Sequence, residues 1–331
     1  MRFKARTTKA SVSFLVSLLS PLARLSETSY IKIDPKQLRI STGGGEQSGL
    51  KCFTEVSLEA IFHAYKIESM QGNQILVECD LNHLRSLLSS ILTAMTPTST
   101  CLLKLAKRNL YPVIVVEKEG GEGVDVKGEV PVRVLQVNEF SNMLPPKTSV
   151  PDVQVILPPA SNPTLRNVLE KMKSMAGHVY VEGCMSGDIS FSSMTDGVAA
   201  KVFFSGLKVA FQDCKASAEY KARNNPRNSA PRDDETHKCV VKVEAKRLLE
   251  MFRWQIPLQK WVAESTLCMV KDEMLILHCQ LPVGEAGTDG TGGITFYGSV
   301  GEIDRDELGE GWEDDDVEEA EDGEDPSVAG D

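Results

Sequence analysis

Residues 151–193 read PDVQVILPPASNPTLRNVLEKMKSMAGHVYVEGCMSGDISFSS, and the parsing of that stretch decides the fold. Val153 to Leu157 is a short apolar run closed by prolines, as a strand is. Thr164 to Met175 then repeats its apolar residues at helical spacing, and Gly177 follows as a C-cap. Alternation with period two returns from His178 to Cys184, Ser186-Gly187-Asp188 supplies a turn, and Ile189 to Ser192 gives a further strand. The unit is strand, helix, hairpin.

The same unit opens the chain. MRFKARTTKASVSFLVSLLSPLARLSETSYIKI has no acidic residue before Glu27, and Arg2, Lys4, Arg6 and Lys9 precede an apolar, Ser-rich stretch, as in a cleaved presequence. Yet MRFKAR alternates as a strand does, and Leu15, Leu18, Leu19, Leu22 and Leu25 share one helical face, with Pro21 expected to interrupt and kink that helix. SYIKI and QLRIST then form a strand pair across Asp34-Pro35-Lys36. A second element also occurs twice. ILVECDLNHLRSLLSSI and CVVKVEAKRLLEMFRWQ each set a strand against a helix that begins at an acid, Asp80 or Glu244. The first pair of units is about 150 residues apart and the second 164, which is an internal duplication that a removable address would not share.

The expected organisation is a first half over residues 1–119, an extended connector over 120–150 and a second half over 151–301. The second half carries a polar, disordered insertion at 208–237, and a disordered acidic tail occupies 302–331. The tail changes the meaning of the net charge. Residues 301–331 hold 16 Asp and Glu against the single Arg305, so subtracting their −15 from the chain's −11 leaves +4 on residues 1–300. The folded part is mildly basic. The eight cysteines are scattered, none in a CxxC, and read as buried free thiols. No apolar run approaches the ~20 residues that cross a bilayer, so no membrane is expected among the partners.

Active-site motifs fail on context. GGGEQSGLKC (residues 43–52) puts Leu50 between Gly49 and Lys51, has Cys52 where a phosphate loop needs Ser or Thr, and joins two strands rather than opening a helix. GEAGTDGTGG (residues 284–293) links strands too. His63, His83, His178, His237 and His278 stand singly, and no G-x-S-x-G occurs. The expectation is a non-enzyme with no cofactor and no metal, acting as a binding or scaffold protein. The helices carry Lys9 and Arg24; Arg85; Arg166, Lys171 and Lys173; and Lys246, Arg247 and Arg253. These charges are either ordinary solvated faces or, if all four helices share one side of a sheet, a band that meets phosphates without reading bases.

A duplicated unit of this order, with its helices on one face, resembles the DNA sliding clamp fold of PCNA, an α+β architecture with antiparallel sheets outside and four helices on the inner face. LRNVLEKMKSMAGHVYVEGCMSGDISF, CVVKVEAKRLLEMF, LCMVKDEMLILHCQL and ITFYGSV, with the opening MRFKA and its helix ending in LARL, are similar to the Hus checkpoint clamp family over residues 1 to about 300. The resemblance implies a non-catalytic subunit of the heterotrimeric nine-one-one clamp. Its partners would be two other PCNA-like subunits, double-stranded DNA in the bore, a replication-factor-C-like loader, and repair and checkpoint proteins. It would work in the nucleus, with nucleolus and cytoplasm as further compartments. The nine basic residues named above would face the DNA, although LNHLRSLLSSI offers Ser86, Ser89 and Ser90 where a basic stripe would be expected. Two rivals from other classes are an organellar enzyme with a cleaved presequence and an acidic-tailed histone chaperone.

Overall fold

The computed structural model describes residues 1–42, 49–70, 72–136, 139, 144–159, 162–195, 198–210, 238–282 and 291–303. Statements about the tail beyond Ile303, and about residues 211–237 of the insertion, lie outside these.

The first βα unit is β1 (Arg2–Thr7) and α1 (Lys9–Leu25), followed by β2 (Thr28–Ile33), β3 (Gln37–Thr42) and β4 (Leu50–Ser57). A short α2 (Leu58–Ile61) leads to β5 (Ala64–Glu68), β6 (Ile75–Asp80), α3 (Leu81–Ala94), β7 (Thr100–Arg108), β8 (Tyr111–Glu119) and β9 (Lys127–Val134). The order then repeats as β10 (Val153–Leu157), α4 (Asn162–Met175), β11 (His178–Cys184), β12 (Ile189–Thr195), β13 (Val198–Phe204) and β14 (Lys238–Glu244). It ends with α5 (Ala245–Phe252), α6 (Gln255–Leu258), β15 (Glu264–Val270), β16 (Met274–Pro282) and β17 (Thr291–Ser299).

Thirteen strands form one sheet in the order β10-β15-β16-β17-β4-β3-β2-β6-β9-β8-β7-β1-β5, and β13-β12-β11-β14 form another. The named pairings are antiparallel. Early and late segments join where β4 pairs with β17, Phe53 opposite Thr295. The strand-bearing part of the 120–150 segment is β9, which pairs with β8 through Pro131 and then crosses to β6 from Val132. One correction concerns the insertion. Residues 208–210 are not free chain: Ile156 N donates to Lys208 O at 2.8 Å and Ala210 N to Gln154 O at 3.2 Å. An uncovered β10 would leave backbone groups without partners, and these residues supply them.

The helices form by apolar stripes. In α1, Thr8 caps the first turn, its Oγ1 accepting from Ser11 N, and Leu15, Leu18, Leu19 and Leu22 are buried. Each such leucine is worth ~1.5–3 kcal/mol on burial. A second correction is Pro21, which does not end the helix. Its ring is buried on the packed face, and α1 continues to Leu25. In α3, Asp80 Oδ1 accepts from the backbone of Asn82 and His83. In α5, Glu244 holds the equivalent place but makes no cap bond, its carboxylate pairing with Arg247 instead. Helix α1 packs on α3, and α4 on α5. Across the duplication, Phe14 of α1 meets Trp261 edge to face at 5.2 Å. All these elements belong to one compact unit, residues 1–301. No helix among the described residues is long and apolar enough to cross a membrane.

Candidate nucleic-acid interface

Residue spacing and burial define the outward stripe of each helix, because successive residues turn by about 100°. On α1 it is Ser13, Ser17, Ser20 and Arg24; on α3 it is Asn82, Ser86, Ser90 and Thr93. Several of these hydroxyls are turned onto the helix itself: Ser17 Oγ donates to Ser13 O, Ser20 Oγ to Val16 O, Ser90 Oγ to Ser86 O and Thr93 Oγ1 to Ser89 O. On α4 the outward stripe is Asn167, Glu170, Lys171 and Ser174, flanked by Lys173, over a buried row of Leu165, Leu169 and Met172. On α5, Lys246 is exposed while Leu248, Leu249, Met251 and Phe252 are buried.

The nine basic candidates therefore fall into different situations. Arg24, Lys171, Lys173 and Lys246 are exposed and form no ion pair among the described residues. Lys9 is exposed, but its Nζ donates to Met95 O at 2.6 Å, the C-cap carbonyl of α3, which fixes the two helices to each other. Arg247 is a joint. Its Nε lies 2.8 Å from Glu244 Oε2 and its Nη1 donates to Ser299 Oγ at 2.8 Å. Its guanidinium also covers Gly49, whose φ of +59° suits glycine and where a Cβ would stand 2.3 Å from Arg247 Cζ. Arg253 is half-buried at the C-cap of α5 and paired with Glu250 of that helix. Arg85 and Arg166 are half-buried, each with an Nε that is buried and has no hydrogen-bond partner. The hydroxyl stripe of α1 was not singled out in the sequence, although Ser13, Ser17 and Ser20 already show helical spacing there.

The rest of the chemistry is structural. The seven cysteines among the described residues are free, and five are buried. Burial pushes the thiols of Cys79, Cys101 and Cys239 up to about 12, so they stay protonated at neutral pH. No group of three His, Cys, Asp or Glu residues among the described ones could hold a metal. Of the two trial loops, residues 43–48 of the first and 284–290 of the second lie outside the described residues, while Gly49 is fixed under Arg247.

Among the described residues several strands pair on one side only, β5 and β14 among them, and two such edges lie one in each half of the chain. β13 is a terminal strand of its sheet, and β9 pairs on one side only with β8 over residues 127–131. Beside that free side of β9 lies an open groove of about 480 Å³ between α3 and the strand, lined by His83, Ser86, Leu87, Ser90 and Pro131.

The family model described as Hus1-like protein matches residues 1–299. A Dictyostelium discoideum protein named checkpoint protein hus1 homolog is 27% identical over 208 residues, 62% of this chain and 74% of the relative. The Schizosaccharomyces pombe checkpoint protein hus1 is 22% identical over 302 residues, covering 90% of this chain and 98% of that one. Among solved structures, PCNA from Entamoeba histolytica superposes with a TM-score of 0.63 at 10% identity, over 91% of this chain and 99% of that one. That likeness shows a PCNA-like sliding-clamp fold.

Proposed function

This chain belongs to the Hus1-like family, and from that premise we propose that it is one of three different PCNA-like subunits forming a ring around double-stranded DNA in the nucleus. It is a non-catalytic checkpoint clamp subunit. What carries the further reading is the meeting of a clamp fold with exposed, unpaired cations on its helix layer, Arg24, Lys171, Lys173 and Lys246. Such charges meet phosphates and carry no base information, which suits a ring that holds DNA by topology.

Assembly would join the edge of β13 in one subunit to the free side of β9 in the next. Edges of this kind are covered or paired in stable proteins. A replication-factor-C-like loader would set the ring on DNA, and repair and checkpoint proteins would dock on it; the family resemblance supports both. Of the nine basic residues, the four exposed and unpaired ones are assigned to DNA, and Lys9, Arg247 and Arg253 to holding the helices in place.

The test combines the chain with its two clamp partners on circular DNA. Changing Arg24, Lys171, Lys173 and Lys246 to Ala should leave trimer assembly intact and flatten the salt slope of retention by about 0.9 per lost phosphate contact. Retention and slope equal to the parent's would overturn the assignment. Light scattering that shows only separate chains would overturn the ring.

A further inference from the structure

The last strand of the thirteen-stranded sheet, β5, pairs with β1 on one side and with no strand on the other among the described residues. Phe3, Ala5, Cys101 and Leu103 are buried on the inner face of β1 and β7, so by strand alternation Arg2, Lys4, Arg6, Lys66 and Lys104 stand on the outer one. Register sets three of these in a line. Lys4 is opposite Lys66 of β5 on one side and opposite Lys104 of β7 on the other. With strands about 4.8 Å apart, the three lysines share one row, and like charges directly opposite each other are destabilising.

The rows on either side are charge-matched. Arg2 is opposite Glu68 and Lys127 opposite Glu117, as ion pairs of 3.9 and 3.5 Å. The outer two lysines of the row lean into those neighbours, Lys66 Nζ lying 2.6 Å from Glu68 Oε1 and Lys104 Nζ 3.5 Å from Glu117 Oε2. Lys4 has no such outlet. It is exposed and makes neither a hydrogen bond nor an ion pair among the described residues, and Glu119, whose carboxylate it attracts, is already bonded by Arg6 at 2.7 Å. Packing does not demand a lysine at an exposed position, so a mismatch that one substitution would remove points to a counter-charge supplied by another molecule.

We propose that an extended segment of a partner protein adds to this sheet as a strand on the free side of β5, with an Asp or Glu opposite Lys66 completing the lysine row. Strand addition draws affinity from backbone hydrogen bonds and specificity from alternate side chains, and here the side chain selected is an acid. Its same-face neighbours would be uncharged, since they fall opposite Ala64 and Glu68. Nucleic acid fits less well. It has no strand backbone to pair with β5, and β5, β1 and β7 turn no aromatic ring outward for a base to stack on; Tyr65 is on the inner face, donating to Pro35 O at 3.1 Å. In sheet order β5 is four strands from β9, so pairing of subunits at β9 does not use it.

The experiment uses the full chain, alone and in the assembled ring, with the labelled peptide Gly-Val-Thr-Val-Glu-Val-Thr-Gly followed by fluorescence anisotropy. Replacing its Glu by Gln should weaken binding about fivefold, the worth of one favourable exposed charge contact. Methylating alternate backbone nitrogens, which keeps the charge but removes strand N–H groups, should abolish binding. Lys4→Glu supplies the missing acid from within the chain. That variant should melt at a higher temperature than the parent, yet bind the Glu peptide no better than the Gln peptide. Bound peptide should slow amide exchange in β5 and leave β13 unchanged. The helix variant Lys171→Ala, Lys173→Ala, Lys246→Ala should bind the peptide as the parent does. No saturable binding, equal binding of the Glu and Gln peptides by the parent, or equal binding of the methylated peptide would each overturn the proposal. So would displacement of the peptide by an oligothymidine at matched charge, which would mark the row as a site for phosphates.

Discussion

Helices α1 and α3 turn Ser13, Ser17, Ser20, Ser86, Ser90 and Thr93 outward, whereas α4 and α5 occupy the corresponding places of the repeat with Lys171, Lys173, Ser174 and Lys246 outward. Their inner faces do not differ in kind: Leu18, Leu22, Leu88, Leu165, Leu169 and Leu248 are all buried. Packing against the sheets constrains the inner positions to apolar side chains of suitable volume, and nothing of the sort constrains the outer ones. The repeat therefore keeps its skeleton and diverges on its surface. Of the four helix candidates that are exposed and form no ion pair among the described residues, three fall on the second pair of helices, so the grip on DNA should be concentrated there, with the serine-lined pair acting mainly as a low-charge wall.

The largest expected effect tests the shared part of the comparison. Leu18→Ala in α1 and Leu169→Ala in α4 remove side chains that are fully buried, and each should cost ~2–5 kcal/mol, read as a shift in the midpoint of urea unfolding. The two losses should be of similar size. If one variant unfolds as the parent does, the two helix pairs do not perform the same packing task, and the comparison loses its basis.

Much of this could be read in the sequence because burial leaves a periodic trace. Leu15, Leu18, Leu19 and Leu22 announce α1, and the switch from helical to alternating period at Gly177 announces β11. What could not be read depends on neighbours distant in the chain. Nothing near Arg247 reveals that its guanidinium lies on Gly49, 198 positions away, or that Lys9 caps the end of α3 at Met95. A basic residue on a helix looks the same in sequence whether it is free or tied, so nine candidates were legible and the separation of Arg24, Lys171, Lys173 and Lys246 from the rest was not. Pro21 shows the converse, a strong local signal for interruption that burial overrides.

An effect of intermediate size probes the helix starts, where the repeat has kept an acid but changed its task. Asp80 Oδ1 accepts from Asn82 N at 2.8 Å and His83 N at 3.2 Å, so Asp80→Ala should cost about 1 kcal/mol through two unsatisfied amides. Glu244 makes no such bond and pairs with Arg247, both side chains being about a third exposed, so Glu244→Ala should cost well under that, on the order of 0.5 kcal/mol. Urea unfolding of the two variants side by side measures the difference. Equal costs would mean that Glu244 stabilises its helix as strongly through the ion pair as Asp80 does by capping.

The smallest effect concerns the first strands of the two units. β1 is charged and β10, VQVIL, is not, so only the former can make a strand-to-strand ion pair that acid would break. Arg6 Nε donates to Glu119 Oε2 at 2.7 Å, and this hydrogen bond, ahead of the bare charge attraction, holds the Glu119 carboxyl below its usual range. A carboxyl depressed in the folded state contributes stability that is fully present above the unfolded value, about 4.3, and is lost as pH falls through the lower folded one. Both side chains are partly open to water, at 42% and 31%, so screening keeps the contribution small. Arg6→Gln should therefore lower Tm slightly near pH 7, and the gap to the parent should narrow as pH falls through the lowered folded value of Glu119. Amide exchange should place the loss in β1 and β8 and leave β10 unaffected. A gap that stays unchanged however far the pH is lowered within the folded range would mean that Arg6 stabilises β1 by the packing of its carbon chain, and the difference between the two strands would then not be electrostatic.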